Sequence, residues 1–199
     1  MVLTGLKLKG IVPRSAEKKN TLGGTKMSSV VERAELFARA AHGAIGQVRK
    51  YTGEAYVTHP IRVMGLVKSV LKDPDALAAA LMHDVIEDTK ITESDIKELF
   101  GKRIAAMVVA LSDPPAIEGG PNRKARKASD RERLGKASAE VQTIKVADLI
   151  DNTESIVAHD PKFAKTYLEE KRLLLEVLTL ADPHLVEVAR RQITVKKGD

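Results

Sequence analysis

Cysteine and tryptophan are absent from this 199-residue chain, and phenylalanine and tyrosine occur three times each. Without cysteine there is no disulfide and no thiolate metal site. That is compatible with a reducing cytoplasm, the expected compartment, and leaves any metal to nitrogen and oxygen ligands. Long apolar runs are missing too. None approaches the ~20 residues of a membrane span, and no signal-peptide h-region opens the chain, so no membrane partner is expected. With so few aromatic rings, the core must be built from Leu, Ile, Val, Ala and Met. The length suits one domain, large enough to bury about 70% of its unfolded surface.

The net charge of +6 suggests a nucleic-acid partner until it is located. Residues 1–26 carry Lys7, Lys9, Arg14, Lys18, Lys19 and Lys26 against Glu17 alone. Five of the six excess charges therefore sit in this segment, and the rest of the chain is nearly neutral. The charge marks a basic tail, not a basic fold, and a nucleic-acid partner is not expected. Residues 1–28 lack sustained periodicity and read as a basic, disordered extension. Met27, just before Ser28-Ser29, is a second candidate start of the chain.

Strand alternation is nearly absent, whereas helix signals recur. Ser29 can cap a helix to about Gly43. Pro60 sits early in one reaching Leu71, and Asp73-Pro74 starts the next. Thr92 opens a helix that ends near Gly101, and an apolar helix follows to Leu111. Residues 112–122 form turns, a basic helix starts near Arg123, and Ser138 caps another. Asp160-Pro161 and Asp182-Pro183 repeat the cap-and-proline signal. The expected fold is all-α, a single-domain helical bundle over residues 29–192 with a short tail over 193–199.

The segment from Ala80 to Thr89 is the most informative. His83, Asp84, Glu87 and Asp88 place four ionisable groups in six residues, next to an apolar run from Leu77 to Met82. Charge this dense beside a buried face is costly without a function. On a continuous helix, His83 would lie one turn from Glu87, and Asp84 one turn from Asp88. His59, in Tyr56-Val-Thr-His-Pro60, stands 24 residues before His83, and Asp148, in the apolar stretch Lys145–Asn152, stands 64 after Asp84. His59, His83, Asp84 and Asp148 together make a mixed imidazole and carboxylate set. It suits manganese, iron or zinc, and its carboxylates with open water positions lean towards manganese. Against this stand simpler readings: a solvated helix end for the acids and a turn histidine ahead of a proline for His59.

The ordered elements Glu32–His42, Gly46–Lys50, Tyr56–Pro60, His83–Asp88 and Lys145–Asn152 resemble the HD-type hydrolase domain of the RelA/SpoT homologue family. More narrowly, the chain resembles the stand-alone small alarmone hydrolases of that family, from about Val31 to Leu180. The resemblance implies an HD-type helical bundle that removes the 3′-pyrophosphate of guanosine tetra- or pentaphosphate, giving GDP or GTP and pyrophosphate. It implies one divalent metal, manganese, on His59, His83, Asp84 and Asp148. Glu87 and Asp88 would orient and deprotonate a water or protonate the leaving oxygen. Arg49 and Lys50 match the family's Arg-Lys pair at the nucleotide pocket, where a guanidinium can stack on a purine or meet a phosphate. Asn152 matches an asparagine near the ribose. Arg123, with Lys124, Arg126 and Lys127, could add positive potential towards a polyphosphate, or could be a solvated basic face. After Leu180 only 19 residues follow, too few for a synthetase domain.

Some positions depart from the family pattern. Ala44-Ile45 lengthens the stretch between His42 and Arg49. Asp151 stands where the family often has an aromatic residue or histidine, and Glu154 replaces a common base. These changes bear on base recognition, so guanine over adenine is an expectation of the resemblance only. His42 is expected to pack or to orient the loop. Two alternatives stay open: a related phosphohydrolase acting on adenosine alarmones, (p)ppApp, or on the 2′-phosphate of NADPH, and a non-catalytic nucleotide-sensing or RNA-binding module. Oligomeric state is not legible.

Overall fold

Alanine dominates the helix at the centre of the molecule, and that composition explains its position. The structure is a computed structural model that describes residues 28–114 and 120–194. All but the last residue of the expected basic extension lies outside these residues, as do 115–119 of the turn-forming segment and 195–199 of the C-terminal tail. Ten helices occur among the described residues: α1 (Val30–Ala44), α2 (Thr58–Val70), α3 (Pro74–Met82), α4 (Val85–Asp88), α5 (Glu93–Phe100), α6 (Lys102–Leu111), α7 (Arg123–Gly135), α8 (Ala139–His159), α9 (Pro161–Leu175) and α10 (Pro183–Thr194). Isolated antiparallel pairing of Val48 with Ala55 is the one strand-like feature described. No described helix is long and apolar enough to cross a membrane. The all-α expectation is borne out.

Every residue of α3 from Ala76 to Met82 is buried. A helix apolar on all sides belongs in a core, and its alanines let α1, α2 and α6 approach closely. The 21-residue α8 is the second axis, packing against α2, α9 and α10. Val63, Val67, Leu81, Met82, Val108, Ile144 and Val146 fill one shared core between these elements. The caps read from sequence are present. Ser29 accepts from Glu32 N–H in a reciprocal capping box, Thr92 does the same with Asp95, and Ser138, Asp160 and Asp73 cap α8, α9 and α3. Gly101, at φ +91°, turns the chain sharply between α5 and α6.

One local expectation needs correction. The chain does not run as a continuous helix through His83-Asp84: α3 stops at Met82 and the single turn α4 starts at Val85. The His83 ring donates from Nδ1 to the Ala80 carbonyl at 2.8 Å. An unbroken helix would bond that carbonyl to the Asp84 N–H, so the imidazole competes with the backbone ladder. The Asp84–Asp88 relation survives, since Asp88 N–H donates to Asp84 O at 2.9 Å.

Lys171 ties three helices together. It is 1% exposed, and its Nζ donates to Thr153 Oγ1 on α8 at 2.8 Å and Gln192 Oε1 on α10 at 2.6 Å. Burial lowers its pKa to about 7, against an opposing pull from Asp148. An unfolded lysine titrates near about 10.4, so between these values the unfolded chain holds a proton that the folded one lacks. Stability should therefore rise with pH across that window, by at most about 1.4 kcal/mol per pH unit. Lys171→Met is expected to flatten this slope, as read from urea unfolding at about pH 7 and pH 9.5; an unchanged slope would assign the pH dependence elsewhere.

Candidate metal centre and active site

Three segments bring their polar side chains to one point. His59 lies in the first turn of α2, His83 and Asp84 lie in the break between α3 and α4, and Asp148 lies midway along α8. The Nε2 atoms of His59 and His83 face each other at 3.2 Å. Asp84 Oδ2 is 3.0 Å from His83 Nε2 and 3.5 Å from His59 Nε2. Asp148 Oδ1 is 3.3 Å from His59 Nε2 and 3.8 Å from His83 Nε2. Both imidazoles are buried, as is Asp148. His59, His83 and Asp84 form a group whose ligand atoms lie close enough together to hold a metal ion.

The hydrogen bonds on the far side of each ring test whether an ion fits. A carbonyl or an ionised carboxylate can only accept, so His83 Nδ1 must donate to Ala80 O, and His59 Nδ1 must donate to Asp151 Oδ2 at 2.7 Å. In the neutral rings both Nε2 atoms then carry lone pairs, directed at each other and at two carboxylates. That grouping is repulsive unless something positive sits among the four atoms. In the protein alone, protons answer the demand. Burial would lower the His83 pKa, but the Asp84 and Asp148 carboxylates raise it to about 9. Asp84 and Asp148 both lie below the usual carboxylate range: burial raises them, but is outweighed by His83 for Asp84 and by Lys145 for Asp148. A divalent cation satisfies the same field with better geometry, and oxygen and nitrogen donors suit such an ion.

A ring of further contacts holds these groups. Tyr56 Oη donates to Asp84 Oδ2 at 2.7 Å. Asn152 Nδ2 donates to Asp148 Oδ1 at 2.6 Å, and Lys145 Nζ to Asp148 Oδ2 at 2.9 Å. Asp88 Oδ2 accepts from Gln47 Nε2 at 2.8 Å, while Gln47 Oε1 lies 2.7 Å from His42 Nδ1. Buried His42 thus orients the loop, as expected, and its Nε2 has no protein partner. Glu87 Oε2 accepts from Asp113 N–H at 3.0 Å. Burial pushes the Glu87 carboxyl above its ordinary value, against the lowering effect of the Asp113 N–H.

The Gln47–Tyr56 loop folds back as a small hairpin, with Tyr56 N–H on Gln47 O at 3.0 Å and Arg49 N–H on Glu54 O at 2.8 Å. Gly46 and Gly53 take the positive φ values, +64° and +72°, that its turns require. Ala44 lengthens α1, and Ile45 closes it, half-exposed. Arg49 is buried, with its guanidinium donating to Asn152 Oδ1 at 3.0 Å and Ser155 Oγ at 3.2 Å. Lys50 is exposed, its Nζ 4.8 Å from the centre of the Tyr51 ring. Arg123 grips Glu170 through two bonds of 2.7 Å at the edge of a cavity of about 160 Å³ between α7, α8 and α9. Asp148, Asn152, Lys145, Lys127 and Tyr167 also line this cavity.

Sequence reasoning missed Tyr56, Gln47, Lys145, Arg62 and Ser155. Lys145 alone had a local signal, its i,i+3 spacing to Asp148. The others act across 28 to 106 residues of chain, where spacing carries no information.

Residues 34–175 match the HD domain family. The chain belongs to the HD domain family. Its HD domain is similar to the bifunctional (p)ppGpp synthase/hydrolase SpoT of Escherichia coli, at 32% identity over 155 residues, 77% of this chain and 21% of that protein. The guanosine-3′,5′-bis(diphosphate) 3′-pyrophosphohydrolase of Drosophila melanogaster is 33% identical over 108 residues, 53% of this chain and 58% of that protein. In the solved structures, a metazoan orthologue of SpoT that hydrolyses ppGpp matches this HD domain with a TM-score of 0.75 at 26% identity. The match covers 88% of this chain and 99% of that one. The chain spans about a fifth of the length of the long relatives such as SpoT. The resemblance carried by the ordered motifs is borne out.

Proposed function

We propose that this HD domain is a (p)ppGpp 3′-pyrophosphohydrolase that works with one divalent ion, manganese in preference to others, held by His59, His83, Asp84 and Asp148. The observation that carries the reading is the convergence of two imidazole Nε2 atoms and two carboxylates on one point beside a polar cavity. Names of the similar proteins supply the substrate class. An ion bound there supplies Lewis acidity, acidifying a water and polarising a phosphoryl oxygen.

The side chains then divide the remaining work. Water adds to the phosphorus bonded to the ribose 3′ oxygen, the P–O3′ bond breaks, and the products are pyrophosphate and GDP or GTP. The 3′ oxygen leaves with one proton, and the water gives one up. Glu87 is suited to that traffic because burial raises its pKa while the Asp113 N–H fixes one oxygen. Asp88, fixed by Gln47, is the second candidate for it. The cavity beside Asp148 carries five basic and four acidic side chains, so it is nearly balanced by itself. Binding a polyanion there needs the added charge of the ion, which ties substrate affinity to metal occupancy. Lys145, charged and held against Asp148, is a basic group beside that point. Arg49 and Asn152 would meet the nucleoside, with Lys50 and Arg123 at the margins.

The substrate is tested by initial rates with guanosine tetraphosphate, its adenosine counterpart and NADPH under identical manganese. Guanosine tetraphosphate is expected to turn over at least about tenfold faster, equal to about 1.4 kcal/mol in the barrier. A faster adenosine substrate or NADPH would move the assignment to that nucleotide while leaving the metal chemistry in place.

A further inference from the structure

Asp151 stands at a position where the resembled family often has an aromatic residue or histidine, and neither ion nor substrate gives it a role. Its carboxylate is nonetheless one of the most thoroughly engaged in the molecule. Asp151 is 7% exposed, and its Oδ2 lies 2.7 Å from Nδ1 of fully buried His59. Arg62 Nε donates to Oδ1 at 2.6 Å and Arg62 Nη2 to Oδ2 at 3.4 Å. Arg49 Nη2 lies 3.7 Å from the same Oδ2. Two guanidinium groups thus hold one buried carboxylate against one imidazole.

We propose that Asp151 is a positioning residue for the metal centre: clamped by Arg62 and Arg49, it fixes the His59 ring with Nδ1 protonated and the Nε2 lone pair aimed at the ion. The inference rests on the metal reading given above and is independent of the substrate. An imidazole free to rotate could present carbon, or a protonated Nε2, to the ion, and neither ligates. A charge-assisted bond to Nδ1–H removes both alternatives and makes the ring a stronger donor. The same face of α8 serves the other side of the centre, since positions 148, 151 and 152 share a face at helical spacing. Asn152 holds Asp148 Oδ1, and Arg49 touches both Asp151 and Asn152, so one guanidinium ties together the supports of two ligands. A histidine or aromatic side chain at 151 could not offer Arg62 and Arg49 a shared anion. Arg62 and Asp151 therefore form one device specific to chains carrying both.

The test is manganese affinity of the metal-stripped full chain, read by competition with a chelating dye, for wild type, Asp151→Ala, Asp151→Asn and Arg62→Ala. Asp151→Ala is expected to bind about 10–100-fold more weakly, the usual effect of losing such a partner. Asp151→Asn should lose less, because its carbonyl can still accept from Nδ1–H, and Arg62→Ala less again. Nitrogen NMR of the zinc-loaded protein supplies a readout that general loosening of the fold would not single out. His59 should coordinate through Nε2 with a protected Nδ1–H, lost in Asp151→Ala, while the His83 Nδ1–H, bonded to Ala80 O, persists. If Asp151→Ala fails to fold, wild type still decides: coordination of His59 through Nδ1 would overturn the proposal. Wild-type affinity in Asp151→Ala would overturn it alone, whereas a wild-type chain that takes up no ion would overturn the metal reading and this inference with it.

Discussion

Replacing Asp84 by alanine is expected to abolish ion uptake and pyrophosphate release together. The loss should be on the order of a thousandfold or more, beyond the ~10–100-fold that removing an outer partner of a ligand costs. Asp84 Oδ2 is the oxygen closest to His83 Nε2, at 3.0 Å, and it also faces His59. Without it the centre keeps two imidazoles and Asp148, whose own charge is shared with Lys145. Asp84→Asn is the informative companion. The amide oxygen keeps the shape and can still accept from Tyr56 Oη, so the fold has little reason to change. It cannot supply the negative charge, so binding should fall nearly as far. Ion content after dialysis and pyrophosphate release are measured on the same samples. An Asp84→Asn protein that retains the ion and its turnover would remove Asp84 from the ligand set.

Glu87→Gln is expected to separate binding from chemistry. Glu87 makes no contact with the four converging atoms and instead accepts the Asp113 N–H. A glutamine carbonyl preserves that hydrogen bond, so ion affinity and unfolding midpoint should stay near wild type. What disappears is a carboxyl group whose pKa burial has raised. Losing a general acid or base costs typically about 10²–10⁴-fold in rate, and a fall of that size in kcat with unchanged manganese affinity is the expected result. Full activity would transfer proton handling to Asp88, which the same assay on Asp88→Asn examines.

Much of the fold was legible because helix starts are local events. Ser29, Thr92 and Ser138 each cap the helix that follows, as do the Asp-Pro pairs at 73 and 160, and each signal spans only three or four residues. The set of His59, His83, Asp84 and Asp148 was also readable, from the charges crowded beside an apolar run, an aspartate in an apolar stretch and the ordered motifs of the HD-type resemblance. The break between Met82 and Val85 was not. It depends on the His83 ring turning back to the Ala80 carbonyl, a choice of rotamer that periodicity does not encode. Arg49 was read from the resemblance as a nucleotide-pocket residue, able to stack on a purine or meet a phosphate; its bonds to Asn152 and Ser155, over one hundred residues away, gave no local signal. Asp151 was noticed only as a departure bearing on base recognition. Its contact with His59 joins positions 92 residues apart, and Arg62 gave no sign in the sequence of completing it. Side chains that support a ligand are set by tertiary neighbours, which is why they were the part left unread.

His59, His83, Asp84 and Asp148 are proposed to hold an ion that drives removal of a 3′-pyrophosphate. The most direct test is product analysis after incubating the metal-stripped chain with guanosine tetraphosphate, with and without manganese. Stoichiometric GDP and pyrophosphate are expected only when manganese is supplied, and should vanish in Asp84→Ala. Equal product without the ion, or no product from wild type with manganese demonstrably bound, would contradict that assignment.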